Sequence, residues 1–420
     1  MKVSAKVDRK TIYFWNMAGS LTYSISSVIL LMVVSRLTSA RDADTFSIAY
    51  SIGQLLSTIG FFQVRNYQAT DIQEKYSFQD YLAFRILTNV VMIFSIAVYC
   101  AAKGYTGEKL LVVWILCLYK GAESFADLAQ GMFQQKERLD LAGRSIVYRM
   151  VISMALFLTT LAVTHNLVTG CVVLLVSAVL CMLAFDWNWL RDFTSVRLNG
   201  ADLPRYKKKI CRLFWTCLPL FINGFLIMYI YNAPKTAIDD AITAGLLADG
   251  SQRDFNILFM PSSVLNLFMI FLRPLITSMA ICWNGGDRQR FYRIIWIMIS
   301  GMAVFLALIL AGGYLLGIPV LGFVFGNDLS GYRKELMLLL LAGGMSSFAT
   351  VFDNIITVIR KQHWLVASYI ASAVIALTGA DMLIEKNGLM GASQIFLLCM
   401  TVLLAGNLII VIAGVKKGRA

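Results

Sequence analysis

The stretch Arg191–Arg212, RDFTSVRLNGADLPRYKKKICR, holds seven Lys or Arg and two Asp between long apolar runs on both sides. It divides the 420 residues into two halves of nearly equal length. Polybasic segments beside membrane spans stay on the cytoplasmic side, where they meet anionic lipid and resist translocation. The stretch therefore orients the whole chain. We read 1–190 as an N-terminal lobe, 191–211 as a basic cytoplasmic linker and 212–420 as a C-terminal lobe.

Composition agrees with a membrane chain: 58% of residues are hydrophobic and 15% charged, against roughly 25% charged in soluble domains. The N-terminus MKVSAKVDRK is basic, but the apolar run after it is too long for a signal-peptide core and no A-x-A site follows. It reads as a retained first helix. The eight cysteines lie in or beside apolar runs without C-x-x-C spacing, which argues against a zinc site or a disulfide framework and for small packing residues. The net charge of +13 sits in short loops between apolar runs. That is a topology signal, not the footprint of nucleic acid.

Six runs long enough to cross a core of about 30 Å precede the linker, near 12–35, 45–63, 82–102, 110–132, 146–164 and 167–186. Six follow it, near 212–232, 255–282, 292–316, 335–358, 364–384 and 389–414. The expected fold is an all-α integral membrane protein of about twelve spans in two pseudo-symmetric six-helix lobes, with both termini cytoplasmic. In that arrangement 26 of the 37 Lys and Arg lie inside, nine outside and two within spans.

Several spans carry polar stripes. Asn16, Ser20, Tyr23 and Ser27 recur on one face of the first, and Ser47, Ser51, Gln54 and Thr58, ending in Arg65, on one face of the second. Small hydroxyl residues also serve close helix packing, so the Ser and Thr positions admit either reading. Tyr50, Gln54 and Arg65 are harder to explain by packing.

The fourth span is the least apolar. Lys120, Glu123, Ser124, Asp127, Gly131 and Gln134 share one strip of it, with Lys120 near the midplane. An ionisable residue there is a functional candidate by default, and the bland alternative is a Lys120–Glu123 ion pair at i, i+3. Asp127 then leaves one carboxylate in excess, a candidate with Glu123 for binding a coupling proton or cation. The tenth span echoes it with Ser346, Thr350, Asp353 and Thr357, followed by Arg360 and Lys361. Two parallel repeats would give such an echo.

The seventh span contains Pro219 and Asn223 and ends in Tyr231-Asn232-Ala233-Pro234-Lys235-Thr236-Ala237-Ile238-Asp239. In the eighth, Pro261 and Pro274 flank a face of Asn266, Arg273 and Thr277. A mid-span arginine before a proline can donate to a phosphate. The alternative is an arginine that snorkels to the interface.

YNAPKTAID, LFMPSSVLNLF, FLRPLI, RNYQATDIQEKYSFQDYLAFR and QGMFQQKERLDLAGRS together resemble the polysaccharide-repeat-unit flippases of the Wzx type, in the multidrug/oligosaccharidyl-lipid/polysaccharide (MOP) exporter superfamily. The resemblance covers nearly the whole chain. It implies two six-helix lobes around a central cavity that opens alternately to each side. The implied substrate is an oligosaccharide repeat unit on undecaprenyl diphosphate, moved from the cytoplasmic to the outer leaflet of a bacterial cytoplasmic membrane. Other surface-polysaccharide assembly proteins are implied partners, beside membrane lipids. Peptidoglycan-precursor flippases of the superfamily usually have two further spans, and twelve favours the polysaccharide branch. Thr236 departs from the Tyr expected in NAPKYAID.

The residues suit such a substrate. Arg65, Lys120 and Arg273 are the candidate diphosphate ligands, and Asn16, Tyr23, Tyr50, Gln54, Asn223 and Asn266 the candidate sugar-facing lining. Glu123, Asp127 and Asp353 are the candidates for coupling to a proton or sodium ion, and no other cofactor or metal is expected. A drug or cation antiporter of the same superfamily (MATE-like) is the alternative; a cavity rich in carboxylates with few cations would favour it. A membrane glycan polymerase or ligase is the competitor from the enzymes. The D-x-D Asp42-Ala43-Asp44 falls in an external loop, only His165 and His363 are present, and there is no H-E-x-x-H, G-x-S-x-G or P-loop pattern.

Overall fold

In a computed structural model, residues 8–69, 71, 74–194 and 203–417 are described. The side chains of 203–206, 264, 266–268, 270, 271, 273, 274, 277 and 415–417 lie outside that description. Every regular element among the described residues is helical. The chain forms two compact units, Met1–Phe225 and Leu226–Ala420.

The first unit holds α1 (Arg9–Leu37), α2 (Ala40–Phe61), α3 (Phe78–Ala102), α4 (Gly107–Gln135), α5 (Leu139–Thr164) and α6 (Leu167–Cys181), with a short helix Val64–Gln68 after α2. α6 continues through a π turn, Met182–Trp187, to Leu190. α7 (Leu203–Thr243) crosses from one unit into the other. The second unit adds α8 (Ser251–Asn284), α9 (Arg288–Gly312), a π turn Gly313–Gly317 running into Ile318–Phe325, and α10 (Arg333–Val358). The last helical stretch, Leu365–Lys417, breaks at Gly388 (φ 59°, ψ −135°) into α11 (365–387) and α12 (389–417). With α6 counted through to Leu190, the shortest of these rods is α2, whose 22 residues span about 33 Å at 1.5 Å per residue.

Eight helical segments among the described residues are long and apolar enough to cross a membrane, one of them, Gln362–Gly414, containing the break at Gly388. α2 and α4 have the length but carry more polar residues than that criterion admits; α8 also has the length. Large apolar side chains such as Phe94, Leu308, Phe323 and Ile409 stand exposed. So extensive an apolar surface belongs against lipid, and the chain is a multi-pass membrane protein.

Local sequence accounts for the helix starts. Ser39 caps α2 by accepting from the Asp42 amide at 3.1 Å. Ser77 and Asp80 form a reciprocal capping box on α3, which satisfies two of the amides a helix start leaves over. Within the units α1 packs on α5, α2 on α4, and, in the matching position of the second half, α8 on α10. At the α1–α5 crossing a Cβ on Gly143 would sit 2.0 Å from the Trp15 carbonyl oxygen. Only glycine lets the backbones approach so closely.

The expected end of the seventh span at 232 is corrected: α7 stays helical to Thr243 and carries Lys235 with it. The reason lies in its partners. Leu213 and Cys217 belong to the first unit's core with Phe62, Phe84 and Phe133, and beyond Phe225 the Tyr231 ring packs against Phe259 and Phe396, centroids 5.7 and 5.3 Å away. Tertiary packing on both stretches keeps the helix through Pro219 and Pro234 despite the lost backbone hydrogen bonds. The division between units thus falls inside α7, downstream of the basic stretch, part of which lies outside the described residues.

Candidate functional site

The site is built around the end of α2. Phe62 (φ 42°) and Gln63 (φ 55°) are both left-handed, an uncommon conformation for side chains of this size. Two such residues in succession reverse the chain, so the short helix Val64–Gln68 brings Arg65 back toward α4. The turn is held by packing: the Phe62 ring stacks on Phe221 of α7, with centroids 4.3 Å apart and planes 9° apart, and meets Phe84 edge-on at 5.3 Å.

Arg65 then reaches α4. Its Nη1 lies 3.1 Å from Asp127 Oδ1 and donates to Gln130 Oε1 at 3.1 Å, while Nε donates to Gln134 Oε1 at 3.3 Å. The other oxygen of Asp127 is taken by Arg85 Nη2 of α3, also at 3.1 Å. Arg85 is fully buried and donates from Nη1 to the Gly60 carbonyl at 2.6 Å. Thr88 donates to the same carbonyl at 2.9 Å. One carboxylate thus holds two guanidiniums, of which Arg65 remains 27% exposed and Arg85 not at all.

One to two turns toward the start of α4, Lys120 Nζ lies 2.9 Å from Glu123 Oε2 and donates to the Tyr50 hydroxyl at 3.3 Å. Three rings surround the ammonium: Tyr50 at 4.7 Å, Tyr119 at 5.2 Å and Tyr23 at 5.7 Å. Aromatic faces stabilise a desolvated cation. The i, i+3 pair is present and buried. The surplus of one carboxylate is corrected, because it left out both arginines on Asp127. With Arg65 and Arg85 included, three cations face two carboxylates, and the surplus is one positive charge. A further buried pair, Arg149 Nη1 and Asp186 Oδ2 at 2.9 Å, joins α5 to the π turn after α6.

In the second unit Asp353 of α10 accepts from the Tyr369 hydroxyl and from Asn407 Nδ2, both at 2.6 Å. Among the described residues it has no cationic partner. On the same helix Ser346 Oγ lies 2.6 Å from the Tyr231 hydroxyl. Lys235 is buried, its ammonium 4.6 Å over the Phe259 ring.

The structure brings Arg65 and Asp127 into contact and groups Lys120, Glu123, Tyr23 and Tyr50. Asn16, Gln54 and Asn223 are half-buried, and Asn223 Oδ1 has no hydrogen-bond partner among the described residues. The side chains of Asn266, Arg273 and Thr277 lie outside the described residues. Sequence reasoning missed Arg85, Arg149 and Asp186 as members of buried pairs. Each is a charge inside a run of apolar residues, and that was the available signal.

No family model matches the sequence. Part of the chain is similar to the capsular polysaccharide biosynthesis protein CapF of Staphylococcus aureus, 21% identical over 218 residues, which are 52% of this chain and 53% of CapF. The match thus spans about half the length of that curated relative. In structure the chain is similar, with a TM-score of 0.66 and 14% identity over 94% of this chain and 93% of the other, to the inward-facing conformation of a multidrug resistance MATE family transporter of the MOP superfamily. It is also similar to the lipid II flippase MurJ in an inward closed conformation, with a TM-score of 0.65 and 13% identity over 94% and 87% of the two chains. The chain has the fold of MOP superfamily transporters and flippases.

Proposed function

We propose that the chain is a flippase that moves undecaprenyl-diphosphate-linked oligosaccharide repeat units from the cytoplasmic to the outer leaflet of a bacterial cytoplasmic membrane, for surface polysaccharide export. The observation that carries this reading is the positive surplus of the Arg65–Asp127–Arg85 and Lys120–Glu123 network. A transporter of organic cations has no use for a surplus positive charge in its helical unit, whereas a carrier of a lipid diphosphate does. The partial likeness to a capsule biosynthesis protein supports the same reading.

In it, Arg65 is the diphosphate ligand of the first unit. Asp127, Gln130 and Gln134 hold its guanidinium in place while leaving part of it exposed. Arg85 draws on the same carboxylate from the buried side, so Asp127 does not neutralise Arg65 fully. Lys120, closed in by its rings and Glu123, contributes electrostatically and not by direct contact. Arg273 is the proposed ligand from α8. Tyr23, which is 43% exposed, Asn16, Gln54 and Asn223 offer sugar contacts. Asp353, held by neutral donors alone, is the proposed coupling residue, because it can exchange a proton or a small cation without breaking an ion pair.

The test is deletion of the gene followed by leaflet-resolved analysis of lipid-linked glycan. Repeat units should accumulate on the cytoplasmic leaflet and clear when the gene is restored. Normal arrival at the outer leaflet, with sensitivity to lipophilic cations instead, would establish the cation-antiporter alternative.

A further inference from the structure

An open groove of about 1040 Å³ lies in the second unit between α9 with its π turn, the start of α10, and the start of α12. Its volume is at the upper end of pockets that take drug-sized molecules, too large for a single ion. Leu310, Met337, Leu338, Leu341 and Met390 make its walls apolar. Arg333 and Lys334, the first two residues of α10, stand at one end, where the Arg333 guanidinium lies 5.4 Å over the Tyr314 ring.

Both cations are exposed, and neither has an ion-pair partner among the described residues. Glu335, next in sequence, pairs with neither; it is buried, and its Oε2 has no hydrogen-bond partner among the described residues. The groove therefore presents two unspent cations and an interfacial tyrosine above an apolar floor. Met337 to Leu341 follow Lys334 by three to seven residues, about 5–10 Å further along the helix axis. Cation, aromatic ring, then apolar wall is the order in which a bilayer presents phosphate, interface and acyl chain.

We propose that this groove binds a membrane phospholipid, with its phosphate on Arg333 and Lys334 and one acyl chain along Met337, Leu338 and Leu341. It is separate from the cluster on α4 and does not depend on what the protein transports.

The test uses purified full-length protein in detergent and dioleoyl phosphatidylglycerol as probe, with dioleoylglycerol and an undecaprenyl diphosphate as comparison lipids, read by native mass spectrometry. Phosphatidylglycerol should bind at least about tenfold more tightly than dioleoylglycerol. The Arg333→Ala/Lys334→Ala variant should lose that advantage. Leu338→Trp, which fills the groove and keeps both charges, should weaken both diacyl lipids. Unchanged melting temperature and elution volume identify the variants that remain folded, and either variant alone suffices. Equal binding by wild type and the folded variants overturns the proposal. So does a groove that takes undecaprenyl diphosphate and not phosphatidylglycerol, since it would then be a transport site.

Discussion

Arg85 and Asp127 meet at 3.1 Å inside the first unit, the arginine wholly buried and the carboxylate shared with Arg65. A buried charge that loses its partner is costly, commonly about 3–5 kcal/mol, whereas a partly exposed pair contributes about 1 kcal/mol or less. The two arginines on one carboxylate should therefore separate stability from function. Arg85→Met is expected to lower the melting temperature more than Arg65→Gln does. Arg65→Gln is expected to leave melting nearly unchanged and to weaken binding of undecaprenyl diphosphate roughly tenfold or more, the scale of one charge-assisted hydrogen bond. Thermal melts and lipid titrations on the same preparations check both; diphosphate binding that survives Arg65→Gln removes Arg65 from the proposed site.

Arg149 and Asp186 make a closed pair across α5 and the π turn, and the expected role is structural. Arg149→Met or Asp186→Leu alone should each destabilise by about 3–5 kcal/mol, and the double variant should recover most of the loss because no charge is left stranded. Denaturation of the four proteins in detergent completes the cycle. Additive losses in the double variant would show that the two side chains do not act as a pair.

Asp353→Asn is expected to reduce transport driven by an ion gradient while leaving substrate binding within about twofold. Tyr369→Phe, which removes one of the two donors, should have the same effect in smaller measure. Proteoliposome flux with and without a proton or sodium gradient is the measurement. Wild-type flux and gradient dependence in Asp353→Asn would make the residue structural.

Topology is open to thiol labelling, and the wild-type Cys211 is itself exposed, so a cysteine-free background is needed. Glu108→Cys, Asp249→Cys and Glu385→Cys should react with an impermeant reagent added to intact cells. Lys75→Cys, Lys208→Cys and Gln289→Cys, all at exposed positions, should react only after permeabilisation. Labelling of Lys208→Cys from outside contradicts the placement of the basic stretch in the cytoplasm.

What the sequence made legible was what repeats along one helix. The Lys120–Glu123 pair follows from i, i+3 spacing, and the helical fold from the apolar runs. Partners on other helices were hidden: Asp127 lies 62 residues from Arg65 and 42 from Arg85, and no periodicity connects them. Arg85 stands inside the apolar run near 82–102, but its partner lies on another helix. Phe62 and Gln63 carry no sequence mark of a left-handed turn, since neither is glycine or asparagine. The seventh apolar run, near 212–232, stops short of Lys235, and packing carries the α7 helix on to Thr243.

The turn that aims Arg65 has one further consequence. Its two residues are gripped by a single face of α7: Phe221 lies flat on the Phe62 ring, and at Gly224, one turn on, a Cβ would come within 2.7 Å of the Gln63 side-chain nitrogen. The bend and that stretch of α7 are one mechanical part. A displacement of α7 there must either break the ring stack or carry the bend along, and with it the direction in which the Arg65 guanidinium points. Relaxing the stack by Phe221→Ala should loosen this linkage without touching a charge. The first unit thus contains a lever whose long arm is a helix and whose short arm is an arginine.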